Sequence, residues 1–519
     1  MRKDVSGTVS NKRIAKNTLM LYMRMLLVMV VQLYTVPIVL RSLGVSDYGL
    51  YHVVGGAVTM FSFVSSSLIS GTQRYLSFAI GRGDLQLLKR TFETTNIIFS
   101  FCALAMLVVV EVIGLWLLHF KMNVPEGRMF AADCVFQLSC FSFVLSILTI
   151  PYNSTIIAHE KMNIYAYVSI MECSLKLALA VSLPYINQDK LIYYAAIIFL
   201  LTTGQRVFYQ IYCKRKFEEC RDVKLTWNAE IGRNLLGYSG WNMVGTLSKM
   251  GSNHGLNVLL NIFYGTVINA AHGIAMQVNG LIEKFGSNIR MATRPAITKL
   301  YARGEVEEMW KLVFRSSKWI SILFTLICVP ILLEKEEILK IWLHDYPQYT
   351  TDIVEILVFV VFVESTCQQI ASALQAANKV KKMQRNGGLM LLSVLPISYV
   401  GMKFFAVSIL FPYYIIVLMR FCQTSYIIYL AHREIGLNIK KYLTEVVFKN
   451  IFVLFGTILV VYLTKMQMEE SIMRLVIIIL VSTMTTIGIS FCFGMDKNER
   501  SYVIKYIRRR IGKVKKRIL

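Results

Sequence analysis

Lys249, Asn253, Asn257 and Asn261 follow one another at four-residue steps. On a helix that spacing puts all four on one face. A second run, Asn269, Gln277, Lys284 and Asn288 with His272 beside it, follows just past Phe263-Tyr264-Gly265. Side-chain amides hydrogen-bond hydroxyls, and ammonium groups neutralise anions. Arg24, Arg74 and Arg290 lie in or beside apolar runs. A guanidinium grips two oxygens of a phosphate where an ammonium offers one point charge. Arg24, Lys249, Lys284 and Arg290, with few acids nearby except Glu283, suit an anionic, hydroxyl-rich ligand such as a sugar phosphate. Among the acids, Glu364, in a patch with Gln368 and Gln369, and Glu172 are candidates for a coupling-ion site. Structural pairing is the competing reading, and Glu172 has Lys176 one turn away.

Those residues sit in apolar surroundings. The chain has 519 residues, 55% of them hydrophobic and 17% charged, and its mean hydropathy is +0.53. A soluble protein carries about 25% charge. Apolar runs near 20 residues recur from end to end, so the expected fold is an all-α polytopic membrane protein. A polar stripe facing lipid is costly, so the stripes line either a wet cavity or a contact with another helix. For the lysine-headed run the cavity is the stronger reading. Arg24 is either a ligand group or a side chain reaching back to the membrane surface.

About 14 spans are expected. Six lie near 17–40, 48–71, 92–118, 130–157, 164–186 and 191–213, and six near 235–262, 266–290, 317–342, 351–377, 387–402 and 404–431. Two more lie near 446–465 and 471–493. The organisation read from them is an N-terminal six-helix lobe over 1–213, a basic connector over 214–233 and a second six-helix lobe over 234–432. Two extra helices over 433–495 and a basic tail over 496–519 complete it. With the N-terminus inside, roughly 39 of the 56 Lys and Arg fall in cytoplasmic segments, the bias that membrane insertion imposes. Both termini are then cytoplasmic. The charge of +25 follows this alternation and does not point to nucleic acid. In the tail, Ile504, Ile507, Ile511, Val514 and Ile518 share a helical face. An interfacial helix on anionic lipid and a disordered basic tail both fit.

Three features recur about 220 positions apart, as internal repeats do. Gly44 matches Gly265, Arg82-Gly83-Asp84 matches Arg303-Gly304-Glu305, and Ala158-His159-Glu160 is echoed by Ala377-Asn378-Lys379. An even number of helices per repeat relates the two lobes by an axis along the membrane normal. No signal peptide is expected at the polar N-terminus. The ten Cys read as packing residues. No phosphate-binding Gly loop, H-E-x-x-H or G-x-S-x-G occurs, so no enzyme, metal or cofactor is expected.

Several short segments carry a resemblance. They are Leu43-Gly44-Val45-Ser46-Asp47-Tyr48-Gly49-Leu50-Tyr51, Gly71-Thr72-Gln73-Arg74-Tyr75-Leu76 and Pro151-Tyr152-Asn153. Ala158-His159-Glu160-Lys161-Met162 and Gly265 with Asn269-Ala270-Ala271 add to them. In these the chain resembles the polysaccharide flippases, Wzx-type, of the multidrug/oligosaccharidyl-lipid/polysaccharide exporter superfamily. The resemblance covers about 10–490. It implies two six-helix bundles around a central cavity, in the bacterial inner membrane. It implies a cargo of undecaprenyl-pyrophosphate-linked oligosaccharide, moved to the periplasmic leaflet by alternating access for O-antigen, capsule or exopolysaccharide. Arg24, Arg74, Lys249 and Arg290 match cargo-binding positions. The implied partners are the lipid-linked oligosaccharide and membrane lipids, with a polysaccharide polymerase and glycosyltransferases as candidates. The rivals are a cation-coupled multidrug exporter, whose site should be acidic, and a peptidoglycan lipid precursor flippase, both of the same superfamily. A membrane-embedded glycosyltransferase needs a large acidic loop that the chain lacks.

Overall fold

A computed structural model describes residues 11–59, 62–120, 124, 127–224, 226–343, 345–405, 407–494 and 500. The basic tail at 501–519, with its apolar helical face, lies outside them. Seventeen α-helices follow one another, with no strand among the described residues. The first six are α1 Asn11–Thr59, α2 Ser62–Arg82, α3 Leu85–Phe120, α4 Met129–Ala158, α5 Met162–Ser182 and α6 Lys190–Lys216. Then come α7 Ala229–Ala302, α8 Val306–Leu333, α9 Lys335–Leu343, α10 Thr350–Ser365, α11 Gln368–Ala376, α12 Val380–Leu392 and α13 Val394–Phe404. Last are α14 Phe411–Ile435, α15 Ile439–Tyr442, α16 Phe448–Lys465 and α17 Ile472–Ile489.

Two helices turn much of their apolar side outward and small polar groups inward. On α16 and α17, Phe455, Leu459 and Met484 are exposed while Asn450, Thr457, Ser482 and Thr486 are buried. Thr457 and Thr486 hydroxyls meet at 3.4 Å. That inversion is what lipid demands, since lipid takes hydrocarbon and rejects unpaired polar groups. The chain is a multi-pass membrane protein. Among the described residues, eleven helices are long and apolar enough to cross, or twelve with the bent pair α10–α11, against the 14 spans expected. Two features account for the gap. The segment after Gly44 is not among those eleven, and α7 counts once.

At about 1.5 Å per residue, a straight 74-residue α7 would be ~110 Å long, several times the ~30 Å hydrocarbon core. It is not straight. Gly265 (φ 79°, ψ −173°) leaves helical geometry, and Lys249 meets Glu283, 34 residues away, at 3.1 Å. The two legs therefore fold back side by side. Gly44 breaks α1 in the same way (φ 81°, ψ 164°). At such a φ any Cβ is strained, so glycine is the residue that fits. The same pairing extends along the chain. Gly83 (φ 69°) answers Gly304 (φ 78°), Gly127 (φ 75°) answers Tyr349 (φ 66°), and Glu160 (φ 59°) answers Asn378 (φ 61°). Turns of one handedness at nearly one offset are the backbone counterpart of the sequence repeat.

The chain divides into two compact units. Unit 1 takes Met1–Leu247, Met291–Val306 and Gln375–Arg385. Its core runs through α2, α3 and α4, with Phe99, Phe136, Ile147 and Leu235 sealed from solvent. Gly114 lets α3 approach the ring of Phe136 so closely that a Cβ there would overlap it. Unit 2 takes Ser248–Arg290, Glu307–Leu374 and Asn386–Leu519, and Val329, Val461 and Ile478 join α8 to α16 and α17.

The charge alternation gives a test of orientation. Cysteines replacing Lys216 and Lys381 are expected to resist a membrane-impermeant thiol reagent in intact cells, and one replacing Asp345 to react. Labelling of the first two from outside would reverse the topology.

Candidate functional site

Unit 2 holds a charge cluster inside its helix bundle. Lys249 on the first leg of α7 reaches both oxygens of Glu283 on the second leg, at 3.1 and 3.4 Å. Its Nζ also lies 3.7 Å from Glu364 Oε1. Arg420 on α14 stands 3.7 Å from that same oxygen and donates to Gln423 Oε1 at 3.0 Å. Arg290, on the second leg, donates to Gln368. Three cations thus surround two carboxylates, leaving one positive charge in excess. Arg420 is 8% exposed, and its Nε has no hydrogen-bond partner among the described residues. Lys249 is 16 residues before the Gly265 turn, about 24 Å along the helix.

Helix geometry sets Glu364 apart. It lies in the last turn of α10, just before the 41° bend into α11. A carboxylate there faces the negative end of the helix dipole. Its position is held by the surrounding cations, not by its own helix. The sequence groups Lys249 and Arg290 with Glu283 and sets Glu364 apart, and the fold brings Glu364 within 3.7 Å of Lys249. The sequence carries no such sign for Arg420, a charge in the middle of the aromatic-rich run Phe411–Ile435, where burial is not legible.

The remaining stripe residues separate by face. Asn253 and Asn257 are half-buried and Asn261 is exposed. Asn257 Oδ1 is buried without a partner among the described residues, as is Asn269 Oδ1. Gln277 and Lys284 are exposed. His272 is 4% exposed and shares a 3.0 Å hydrogen bond with the Tyr413 hydroxyl.

In unit 1, Arg24 donates to the Tyr165 hydroxyl at 3.1 Å and Ser169 Oγ at 3.3 Å, and stacks over the Tyr165 ring. Its Nε is buried with no hydrogen-bond partner among the described residues. Glu172 pairs with Lys176 at 2.6 Å and accepts from Gln205 at 3.1 Å. Arg74, 7% exposed, donates to the carbonyls of Gln375 and Ala376 at 2.9–3.2 Å. It thereby caps the last turn of α11, where carbonyls lack helical partners. Arg74→Ala is expected to lower stability by about 2 kcal/mol, the scale of a charged hydrogen bond lost from buried acceptors. A detergent melt reads this; an unchanged melt with lost cargo binding would return Arg74 to the ligand set.

Two further ion clusters pin unit 1. Glu160 takes Lys299 at 2.7 Å and Arg13 at 3.4 Å. Arg128 bridges Asp47 and Asp189, each at 2.5 Å, which gives the Asp47 of the Gly44–Tyr51 motif a structural partner. Desolvation pushes the Asp189 carboxyl up, but Arg128 and the α6 backbone N–H groups outweigh it and hold the group below its usual range. Among the described residues no group of His, Cys, Asp and Glu is arranged to hold a metal.

No family model matches the chain. A curated relative, the "Uncharacterized membrane protein EpsK" of Bacillus subtilis (strain 168), is 19% identical over 288 residues, 54% of this chain and 56% of that protein. The chain thus matches about half the length of that relative. Solved structures share the fold. An outward-facing multidrug resistance MATE family transporter of the MOP superfamily superposes with a TM-score of 0.69 at 14% identity, over 84% of this chain and 98% of that one. A MOP superfamily transporter from Pyrococcus furiosus, whose "reverse polarity of binding pocket" is taken to suggest a different function, gives 0.68 at 14%, over the same shares. A MATE protein in complex with MaL6 gives 0.67 at 13%, over 84% and 99%.

Proposed function

We propose, taking the shared transporter fold as the premise, that this chain is a flippase for an anionic lipid-linked oligosaccharide. It moves an undecaprenyl-pyrophosphate-linked glycan between leaflets of the bacterial inner membrane by alternating access, for surface polysaccharide synthesis, and makes no covalent bond. The observation that carries this reading is the excess of cations in the unit 2 cluster, Lys249, Arg290 and Arg420 against Glu283 and Glu364. A diphosphate crossing ~30 Å of hydrocarbon carries a solvation cost of many kcal/mol. Fixed donors along the way offset it. Arg24, with an unused buried N–H, offers a second such group in unit 1.

The multidrug exporter reading draws on the same fold, and Glu364 is the residue it needs. A site for organic cations requires a carboxylate not already held by cations, and Glu364 is held by two.

The deciding experiment is a deletion strain complemented with variants, scored for surface glycan, with protein level in the membrane measured alongside. Arg24→Ala is expected to lose most export and Arg24→Lys to keep part of it, because charge survives and the fork of donors does not. Normal export by a well-expressed Arg24→Ala would make Arg24 a helix-packing residue. Cation resistance conferred by the wild type, without any effect on glycan, would transfer the chain to the exporters.

A further inference from the structure

We infer that Glu364 is a resident counter-anion, occupying the place of a cargo phosphate and giving up its cations when the diphosphate arrives. This role rests on the flippase reading above and adds how that site is regulated.

Charge sets the requirement. Lys249, Arg290 and Arg420 carry three positive charges, and Glu283 and Glu364 carry two negative ones. The excess of one can neutralise one negative charge. A diphosphate brings about two. In a low-dielectric interior an uncompensated charge is expensive, so one carboxylate must withdraw for the cargo to be held.

Geometry says which. Glu283 grips Lys249 with both oxygens, at 3.1 and 3.4 Å. Glu364 shares a single oxygen between Lys249 and Arg420, each at 3.7 Å, longer than a charge-assisted hydrogen bond. Glu364 also opposes the dipole of α10, so its helix contributes nothing to keeping it there. The segment just beyond is already broken at Thr366 and Cys367, which gives Glu364 a joint on which to move. Arg420 meanwhile keeps one buried N–H without a partner among the described residues. A carboxylate at 3.7 Å leaves the guanidinium incompletely used, and phosphate oxygens, more numerous and spread tetrahedrally, can reach it. An empty site that stayed strongly cationic would collect any anionic lipid. A resident carboxylate raises the threshold, so that a diphosphate exchanges with it and a monoanionic headgroup does not.

The test uses the full-length protein in detergent micelles, with farnesyl diphosphate and inorganic pyrophosphate as probes and a short-chain phosphatidylglycerol, a monoanionic phosphodiester, as comparison, read by calorimetry. Glu364→Gln is expected to bind the diphosphates about tenfold more tightly and to narrow the preference for diphosphate over the monoanionic phosphodiester. Glu364→Asp, shorter but still charged, should fall between wild type and Gln, and keeps the test open if the Gln variant is poorly folded. Arg420→Ala in the Glu364→Gln background should cancel the gain. Wild-type binding that is lost in Lys249→Ala yet unchanged or weakened in a folded Glu364→Gln would overturn the inference and leave the flippase reading standing. Absence of diphosphate binding in the wild type and in every variant would overturn both.

Discussion

Lys249→Glu is expected to reduce glycan export to the level of the deletion strain, at normal abundance in the membrane. The substitution changes the unit 2 cluster from one positive charge in excess to one negative charge in excess. The introduced carboxylate would then stand against Glu283 and Glu364, at sites now 3.1 and 3.7 Å from the ammonium. A diphosphate entering such a site meets repulsion in a medium of low dielectric, where charge pairs are weighted several times more heavily than in water. Even about 1.4 kcal/mol is tenfold in occupancy, and a reversal exceeds that. Lys249→Arg, which keeps the charge, should retain most export. Lys249→Ala, with no excess, should fall between. Export by Lys249→Glu equal to wild type would remove the cluster from the transport path.

The second large effect is one of stability. Glu334, at the joint between α8 and α9, is 1% exposed. It receives Arg474 of α17 at 2.9 Å and stands 3.9 Å from Lys465 of α16. Arg474 is itself 5% exposed. Three helices are thus tied through one buried carboxylate. Glu334→Gln is expected to cost about 3 kcal/mol, because it leaves a buried guanidinium only the exposed Glu470 at 3.9 Å as counter-charge. The fall in melting temperature in detergent would measure it. Changing Glu334 and Arg474 together to Met should recover much of the loss, since both buried charges go and the partly exposed Lys465 keeps the Leu333 carbonyl. A single variant as stable as wild type would mean that water reaches this joint.

The helices were legible because lipid leaves a long, simple signature. Stretches of about 20 apolar residues mark them, and charge at alternate ends orders them. Counting was harder. The α7 hairpin runs as one helix by hydrogen bonding, and the division expected at Phe263-Tyr264-Gly265 shows in the φ of Gly265 and the contact between its legs. The repeat was legible too, because a positive φ restricts the residue allowed, and Gly44, Gly83, Gly265 and Gly304 advertise it. Glu160, Asn378 and Tyr349 adopt the same hand without that advertisement.

Site residues were legible by type but not by partner. Arg74 looks like a ligand group because nothing in a sequence marks the backbone carbonyls of Gln375 and Ala376 that take its donors. Arg420 escapes notice for the opposite reason. Its partner Glu364 lies 56 residues earlier, and the pairing depends on how α10 and α14 pack. Asn253, Asn257 and Asn261 follow a perfect four-residue step, yet a helix turns about 100° per residue, so the stripe drifts from half-buried to exposed.

The α7 hairpin also bears on how the protein is made. Lys249 emerges from the ribosome well before the residue that neutralises it, since Glu283 follows 34 positions later. At about 5–20 residues per second, the first leg waits roughly two to seven seconds with an unmatched ammonium. An unmatched ammonium within a lone membrane helix costs up to about 2.5–3.5 kcal/mol to insert, the most at the bilayer centre. The turn between the legs, from Asn261 to Asn269, carries no charged side chain. It can therefore pass through the bilayer cheaply, and the two legs can enter together with Lys249 and Glu283 already paired. Biogenesis of this segment is then a single step in which the second leg acts as chaperone to the first.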